Sequence, residues 1–182
     1  MEDEYAENHQ EALQKIYSQA LRTQLITWQA IYHLQDELER SGEISPEERR
    51  VDARAEYDGE TLKITVNDVL PMNRNNAPAS LMRRYWMGNV LYTLKKLDVP
   101  VRFENALCAI KVYGPRDVGW DVDNRAINYA INALRASEVI PGDEWDKLSV
   151  LLLGGLDKKN PRTEIWLREY PVVAIEGLFK GI

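Results

Sequence analysis

The chain has 182 residues, 45% of them hydrophobic, with 29 acidic against 23 basic side chains and a formal net charge of −6; that suffices for one domain with a sizeable core plus an appendage, but not for two full domains. No apolar run approaches the roughly 18 to 20 residues needed to cross a bilayer, and the acidic start Met1-Glu2-Asp3-Glu4 reads as neither a secretory signal nor a transit peptide, which predicts a cytoplasmic location. Cys108 is the only cysteine and His9 and His33 the only histidines, which excludes an intrachain disulfide or Cys-rich zinc module and leaves His-based zinc sites and Ser-His-Asp triads without support.

Residues 8–40 contain neither Pro nor Gly, and Leu13, Ile16, Tyr17, Ala20, Leu21, Leu25, Trp28, Ile31 and Tyr32 recur at spacings of three and four. This predicts an amphipathic helix of roughly 50 Å at about 1.5 Å per residue. Ser41-Gly42 ends it, and Ser45-Pro46-Glu47-Glu48 has the cap, proline and acids of a short second helical turn. A helix this long exceeds what one small core needs to cover, so it is expected to pack on the domain, on a second subunit or on a protein partner. The expected division is a helical N-terminal extension over 1–50 and a main domain over 51–182.

Ala53, Ala55 and Tyr57 alternate with polar residues, Asp58-Gly59 follows, and Leu62, Ile64 and Val66 alternate again; period two around Asp-Gly predicts a hairpin. After the Leu70-Pro71-Met72-Asn73 loop, 79–97 reads as a helix, 103–113 as a strand ending in Gly114-Pro115, 122–136 as a helix burying Ala126, Ile127, Ala130, Ile131 and Leu134, and 148–153 and 163–167 as two further strands. Cys108 lies in an apolar strand and is expected in the core. A long helix followed by β-β-α-β-α-β-β predicts an α+β fold with a mixed, largely antiparallel sheet and two packed helices.

The charge is uneven. Residues 1–50 hold 11 acidic and 5 basic residues, leaving 18 of each in 51–182, and 69–97 carries Arg74, Arg83, Arg84, Lys95 and Lys96 with no acid at all. Such a one-signed stretch suits a phosphate backbone, or else forms a solvated cationic helix face. Asp121-Val122-Asp123-Asn124 stands where a helical pattern begins, and Ile140-Pro141-Gly142-Asp143-Glu144-Trp145 follows that helix. Asp is also a preferred cap and turn former, but carboxylates gathered from two turns repel one another unless they hold a hard cation such as Mg²⁺. An EF-hand does not fit, because Ala126 and Asn132 stand where its Gly and bidentate Glu belong. Trp120 and Trp145, beside the two turns, are expected to pack them against the core, the alternative being stacking on a base.

Asp121-Val122-Asp123-Asn124, Asn132-Ala133-Leu134, the Ile140–Trp145 turn and the upstream Pro71-Met72-Asn73 together resemble, in order, the motifs of the RusA family of Holliday-junction resolvases, the acidic turn looking like that of phage-borne members. The resemblance covers about residues 62–169. It implies a RusA-like endonuclease domain over 51–182: a homodimeric, Mg²⁺-dependent endodeoxyribonuclease resolving Holliday junctions or other branched DNA in recombination and repair. Asp121, Asp123 and Asp143 would be the catalytic, metal-holding (Mg²⁺, with Mn²⁺ as substitute) carboxylates, orienting a water for in-line attack. Asn73, Arg74, Arg83, Arg84, Lys95, Lys96, Lys111 and Arg125 would contact DNA. Gly142 and Asn132 replace family aspartates, and the family lysine has no match, Arg125, Lys111 or Lys147 being the cations at hand; an inactive DNA-junction-binding or replication-accessory relative is the alternative.

Overall fold

The computed structural model describes residues 2–45, 51–73, 79–116 and 124–170. The elements follow in the expected order: α1 (Glu2–Ser41), β1 (Ala53–Tyr57), β2 (Thr61–Val66), α2 (Ala79–Leu94), β3 (Ala106–Gly114), α3 (Asn128–Ala136), β4 (Leu148–Leu156) and β5 (Arg162–Glu169). The fold is α+β, with one five-stranded sheet in the order β1-β2-β5-β3-β4. The β1–β2, β2–β5 and β5–β3 pairs are antiparallel; β3 and β4 are parallel, and α3 supplies the crossover that a parallel pair requires.

The hairpin forms where alternation meets Asp-Gly. Gly59 takes φ +98°, and the Asp58 carboxylate accepts the amides of Glu60 and Thr61 at 2.9 and 2.7 Å. Those backbone hydrogen bonds hold its carboxyl below the usual range. Register then puts Ile64, Ile165, Ile110 and Leu152 in one row across the sheet. This face, with Leu62, Val66, Cys108, Val112 and Leu167, is buried beneath Met82, Tyr85, Trp86 and Val90 of α2 and Ala130, Ala133 and Leu134 of α3. Cys108 is core, as expected, and burial pushes its thiol up to about 12. The opposite face carries the alternate residues, among them Lys63, Lys111, Tyr113, Leu151, Leu153, Glu164 and Trp166.

Two boundaries differ from expectation. α2 stops at Leu94, so Lys95 and Lys96 lie in the following turn. α3 begins only at Asn128, with Ile127 as a cap that makes no side-chain bond. The Ser45-Pro46 turn falls largely on residues 46–50, outside the described ones.

α1 ends as predicted. Gly42 at φ +76° lets the amides of Gly42 and Glu43 return to the carbonyls of Glu39 and Leu38. Its stripe, however, is only half used. Leu25 and Tyr32 are buried and Leu21 and Trp28 pack on the core, whereas Leu13, Ile16 and Tyr17 are 58, 63 and 65% exposed. The packed half lies against α2 through an aromatic seam of Trp28, Tyr32, Tyr85 and Tyr92 with ring centroids 5.5–5.8 Å apart. Gly88 makes that seam close: a Cβ there would stand 3.0 Å from the Tyr32 ring.

Candidate functional site

The loop after β2 and the residues after the acidic run are joined by backbone. Asn73 N–H donates to the Asn124 carbonyl (3.1 Å), Ala126 N–H donates to the Pro71 carbonyl (2.9 Å), and Met72 and Arg125 face each other as an antiparallel bridge. Asn73 and Arg125, two of the expected DNA contacts, are thus brought together. Yet Arg125 is buried, and its Nη1 donates to the Leu70 carbonyl at 2.6 Å. Its guanidinium ties a loop instead of meeting solvent, and burial lowers its pKa.

Beneath this loop lies a polar seam under α1. Thr163 Oγ1 donates to the Asp68 carbonyl (2.9 Å) and accepts the Leu70 amide (2.8 Å), satisfying a fully buried hydroxyl. The Asp68 carboxylate accepts from Gln24 Nε2 of α1 at 3.1 Å and from the Val69 amide at 2.7 Å. Asp52 accepts from Tyr85 Oη (3.2 Å) and Asn67 Nδ2 (3.2 Å). Burial, above all, raises the Asp68 carboxyl, with the Asp52 charge adding to it; burial likewise raises the Tyr85 phenol.

Asp121, Asp123 and Trp120, like Arg74, lie outside the described residues. Asp143 is described, and it faces a cation of its own chain: Arg135 Nη1 stands 3.1 Å from Oδ1, both side chains about half exposed. Among the described residues no three His, Cys, Asp or Glu side chains gather closely enough to hold a metal. Asp143 is the one expected ligand among the described residues, and the three-carboxylate Mg²⁺ site expected from the motifs rests on Asp121 and Asp123, outside them.

The other expected basic contacts among the described residues lie on α2, in the turn after it and on the sheet. Arg83 and Arg84 are exposed on α2, Arg83 Nε donating to Met87 Sδ at 3.3 Å. Lys95 and Lys96 are exposed in the turn that follows, Lys95 reaching over the Tyr92 ring at 5.5 Å. Lys111 is on the sheet face away from the helices, over Tyr113 at 4.8 Å. There it belongs to a lattice in which Arg162 donates to Glu164 (2.8 Å) and Asp157 (2.7 Å) and lies 3.9 Å over the same ring, and Lys63 sits 3.7 Å from Glu164 and 4.4 Å over Trp166. Burial would raise the Glu164 carboxyl, but the Arg162 hydrogen bond and the Lys63 and Arg162 charges outweigh it and the net shift is downward.

Four of the exposed large apolar side chains of the domain lie together on β4. As the last strand in the sheet order it pairs only with β3, so the hydrogen-bonding groups of its other side have no strand partner among the described residues. Leu148-Ser149-Val150-Leu151-Leu152-Leu153-Gly154-Gly155-Leu156 contains neither charge nor proline, and Val150, Leu151, Leu153 and Leu156 are all exposed. Trp145, just ahead, is 91% exposed and borders a cleft of about 570 Å³ with Asn105, Leu148, Glu169 and Tyr170. The expectation that it packs its turn on the core is incorrect. The other edge strand, β1, is only five residues long and carries Arg54 and Glu56, 3.4 Å apart, the short, charged edge by which sheets avoid pairing. β4 has no such protection.

No protein family matches the chain, and no curated protein does. Among solved structures it is similar to the periplasmic domain of MotB, at 12% identity over 81% of this chain and 93% of that chain with a TM-score of 0.36, and to the periplasmic domain of Helicobacter pylori MotB, at 13% identity over 73% and 100% with a TM-score of 0.35. Likenesses this slight carry nothing of MotB's role across to this chain. No helix among the described residues is long and apolar enough to cross a membrane. No family model or curated protein ties the chain to the RusA resolvases, and the two structures named are MotB domains; the family reading is therefore corrected, and with it the Holliday-junction endonuclease, its inactive junction-binding alternative and the attendant recombination, repair and DNA-binding roles.

Proposed function

We propose that this chain is a homodimeric assembly module: two sheet domains join along β4, and each carries an α1 helix whose free half takes a protein partner. The open β4 edge is the observation that carries this. Nine residues of strand, paired with β3 on one edge and with no strand on the other among the described residues, offer at about 3.3 Å per residue roughly 30 Å of backbone donors and acceptors. Leucine and valine flank them on both faces, so another strand with apolar sides would satisfy the backbone and both faces at once. A second copy supplies one without any further partner, and a two-fold axis closes the assembly at two subunits. Two α1 helices in one particle then present two copies of the Leu13, Ile16, Tyr17 stripe, and a partner engaging both gains avidity.

Sedimentation equilibrium over a wide concentration range tests the reading. The wild-type chain should reach a dimer, and Leu151→Lys with Leu153→Lys, which places charges on the edge, should remain a monomer with an unchanged circular dichroism spectrum. A wild-type chain that stays monomeric at every concentration, its edge covered from outside the described residues, overturns the proposal. So does a lysine variant that dimerises as well as the wild type.

A further inference from the structure

The two ends of β4 carry opposite charge. Before it stand Asp143, Glu144 and Asp146, with Lys147 3.5 Å from Asp146 and Arg135 already on Asp143. After it stand Asp157, Lys158 and Lys159, and Asp157 is engaged by Arg162 at 2.7 Å and by the amides of Lys159 and Asn160 at 3.1 and 3.0 Å. Asp157 is thus paired with Arg162 as Asp146 is with Lys147, and the two ends differ by Glu144 on one side and by Lys158 and Lys159 on the other. Glu144 and Asp146 at one end, and Lys158 and Lys159 at the other, are exposed.

Resting on the dimer reading, we infer that β4 pairs with its copy antiparallel about Leu152, so that the acidic turn of each subunit meets the basic turn of the other. In that register Leu148 opposes Leu156 and Leu151 opposes Leu153, each pair on one face because cross-strand partners share a face. Val150 opposes Gly154 and Ser149 opposes Gly155, larger against smaller. The core faces of the two sheets continue into each other. Beyond the strand ends, Asp146 falls beside Lys158 of the second copy, and Trp145 beside its Lys159, an ammonium within reach of an exposed indole. A parallel pairing would set acid against acid and base against base, about 30 Å apart, and charge repulsion disfavours it.

Cysteine pairs read the register directly, since Cβ atoms of opposed residues lie within disulfide reach and Cys108 is buried. Asp146→Cys combined with Lys158→Cys should give a covalent dimer on mild oxidation, and Asp146→Cys alone should not. A covalent dimer from Asp146→Cys alone means like ends meet, and overturns the inference. Charge exchange gives a second readout. Glu144→Lys with Asp146→Lys, and Lys158→Glu with Lys159→Glu, should each weaken self-association by about tenfold at low salt, a loss that shrinks at high salt. Mixing the two variants should yield a heterodimer. Failure of mixing to restore association, in a wild-type chain that sediments as a dimer, rejects this orientation and leaves the dimer standing; a wild-type monomer rejects the dimer itself.

Discussion

Gly88→Ala sets two opposing effects of known sign against each other at the α1–α2 seam. Alanine in a helix interior is better than glycine by about 1 kcal/mol, so at an open position the change would stabilise. Here the added Cβ would lie 3.0 Å from Cε2, 3.3 Å from Cζ and 3.5 Å from Oη of Tyr32. That ring is held between Trp28 at 5.5 Å and Tyr92 at 5.8 Å, so it cannot simply swing away, and overpacking of this kind costs about 1–3 kcal/mol. With a middle value of about 2 kcal/mol for the clash, Gly88→Ala should destabilise by about 1 kcal/mol. Tyr32→Ala removes the ring and costs about 3 kcal/mol by itself. In that background Gly88→Ala should turn stabilising by about 1 kcal/mol, a coupling of about 2 kcal/mol. Urea unfolding followed by tryptophan fluorescence, with Trp28 and Trp86 in or near the seam, measures the four proteins. If Gly88→Ala stabilises both backgrounds equally, the ring is not packed on Gly88 and the docking of α1 described above is wrong.

The remaining predictions concern charge and exposure. Asp68, its carboxyl raised chiefly by burial, adds stability that is fully present below the ordinary carboxyl pKa and lost as pH rises through the raised value; Asp68→Asn should therefore be more stable than wild type at neutral pH and equal to it in acid, and urea midpoints that run parallel across that range would contradict the burial argument. Arg162→Met leaves the buried Glu164 with Lys63 at 3.7 Å as its remaining cation and should cost about 3 kcal/mol in the same assay, whereas breaking the exposed Glu11–Lys15 pair with Lys15→Ala should change nothing measurable. Cys108 should resist a thiol reagent above neutral pH in the native protein and react fully in urea; rapid native labelling would place it outside the core. A photo-crosslinker at Ile16 should capture one partner at fixed stoichiometry while the same group at exposed Arg22 does not, and equal labelling from both positions would deny the free stripe its role.

Local alternation and turn chemistry were legible in the sequence because they act over a few residues: the hairpin around Asp58-Gly59, the end of α1 at Gly42 and the alternating buried row of β3 all stand where the pattern puts them. Long-range ties were not. Thr163 holds the loop at Asp68 and Leu70 across more than 90 residues, and no periodicity announces such a contact. The acidic and Asn-rich runs misled for a related reason: Asp, Asn, Gly and Pro serve turns and caps in any fold, so several short motifs in sequence order describe a succession of turns as well as they describe a family. Of the candidate site, the segments carrying Asn73 and Arg125 do meet, but by backbone pairing of Met72 with Arg125 and of Asn73 with Asn124, and with the Arg125 guanidinium turned to a carbonyl, a use that residue type alone does not disclose.

β4 shows the same limit most sharply. Leu148 to Leu153 is apolar at both parities, the pattern of a strand buried on two faces, and it is topology that makes it an edge: α3 returns the chain parallel to β3 on the outer side, after which β5 enters on the inner side between β3 and β2. A run built for burial and then left at the rim is out of keeping with the short, charged β1 at the other edge of the same sheet. Among the described residues chain order gives β4 no second neighbour, and association with another copy would satisfy the composition of the strand. The exposed Trp145 and the opposed charges at its two ends extend that argument from the need for a neighbour to the direction in which the neighbour runs.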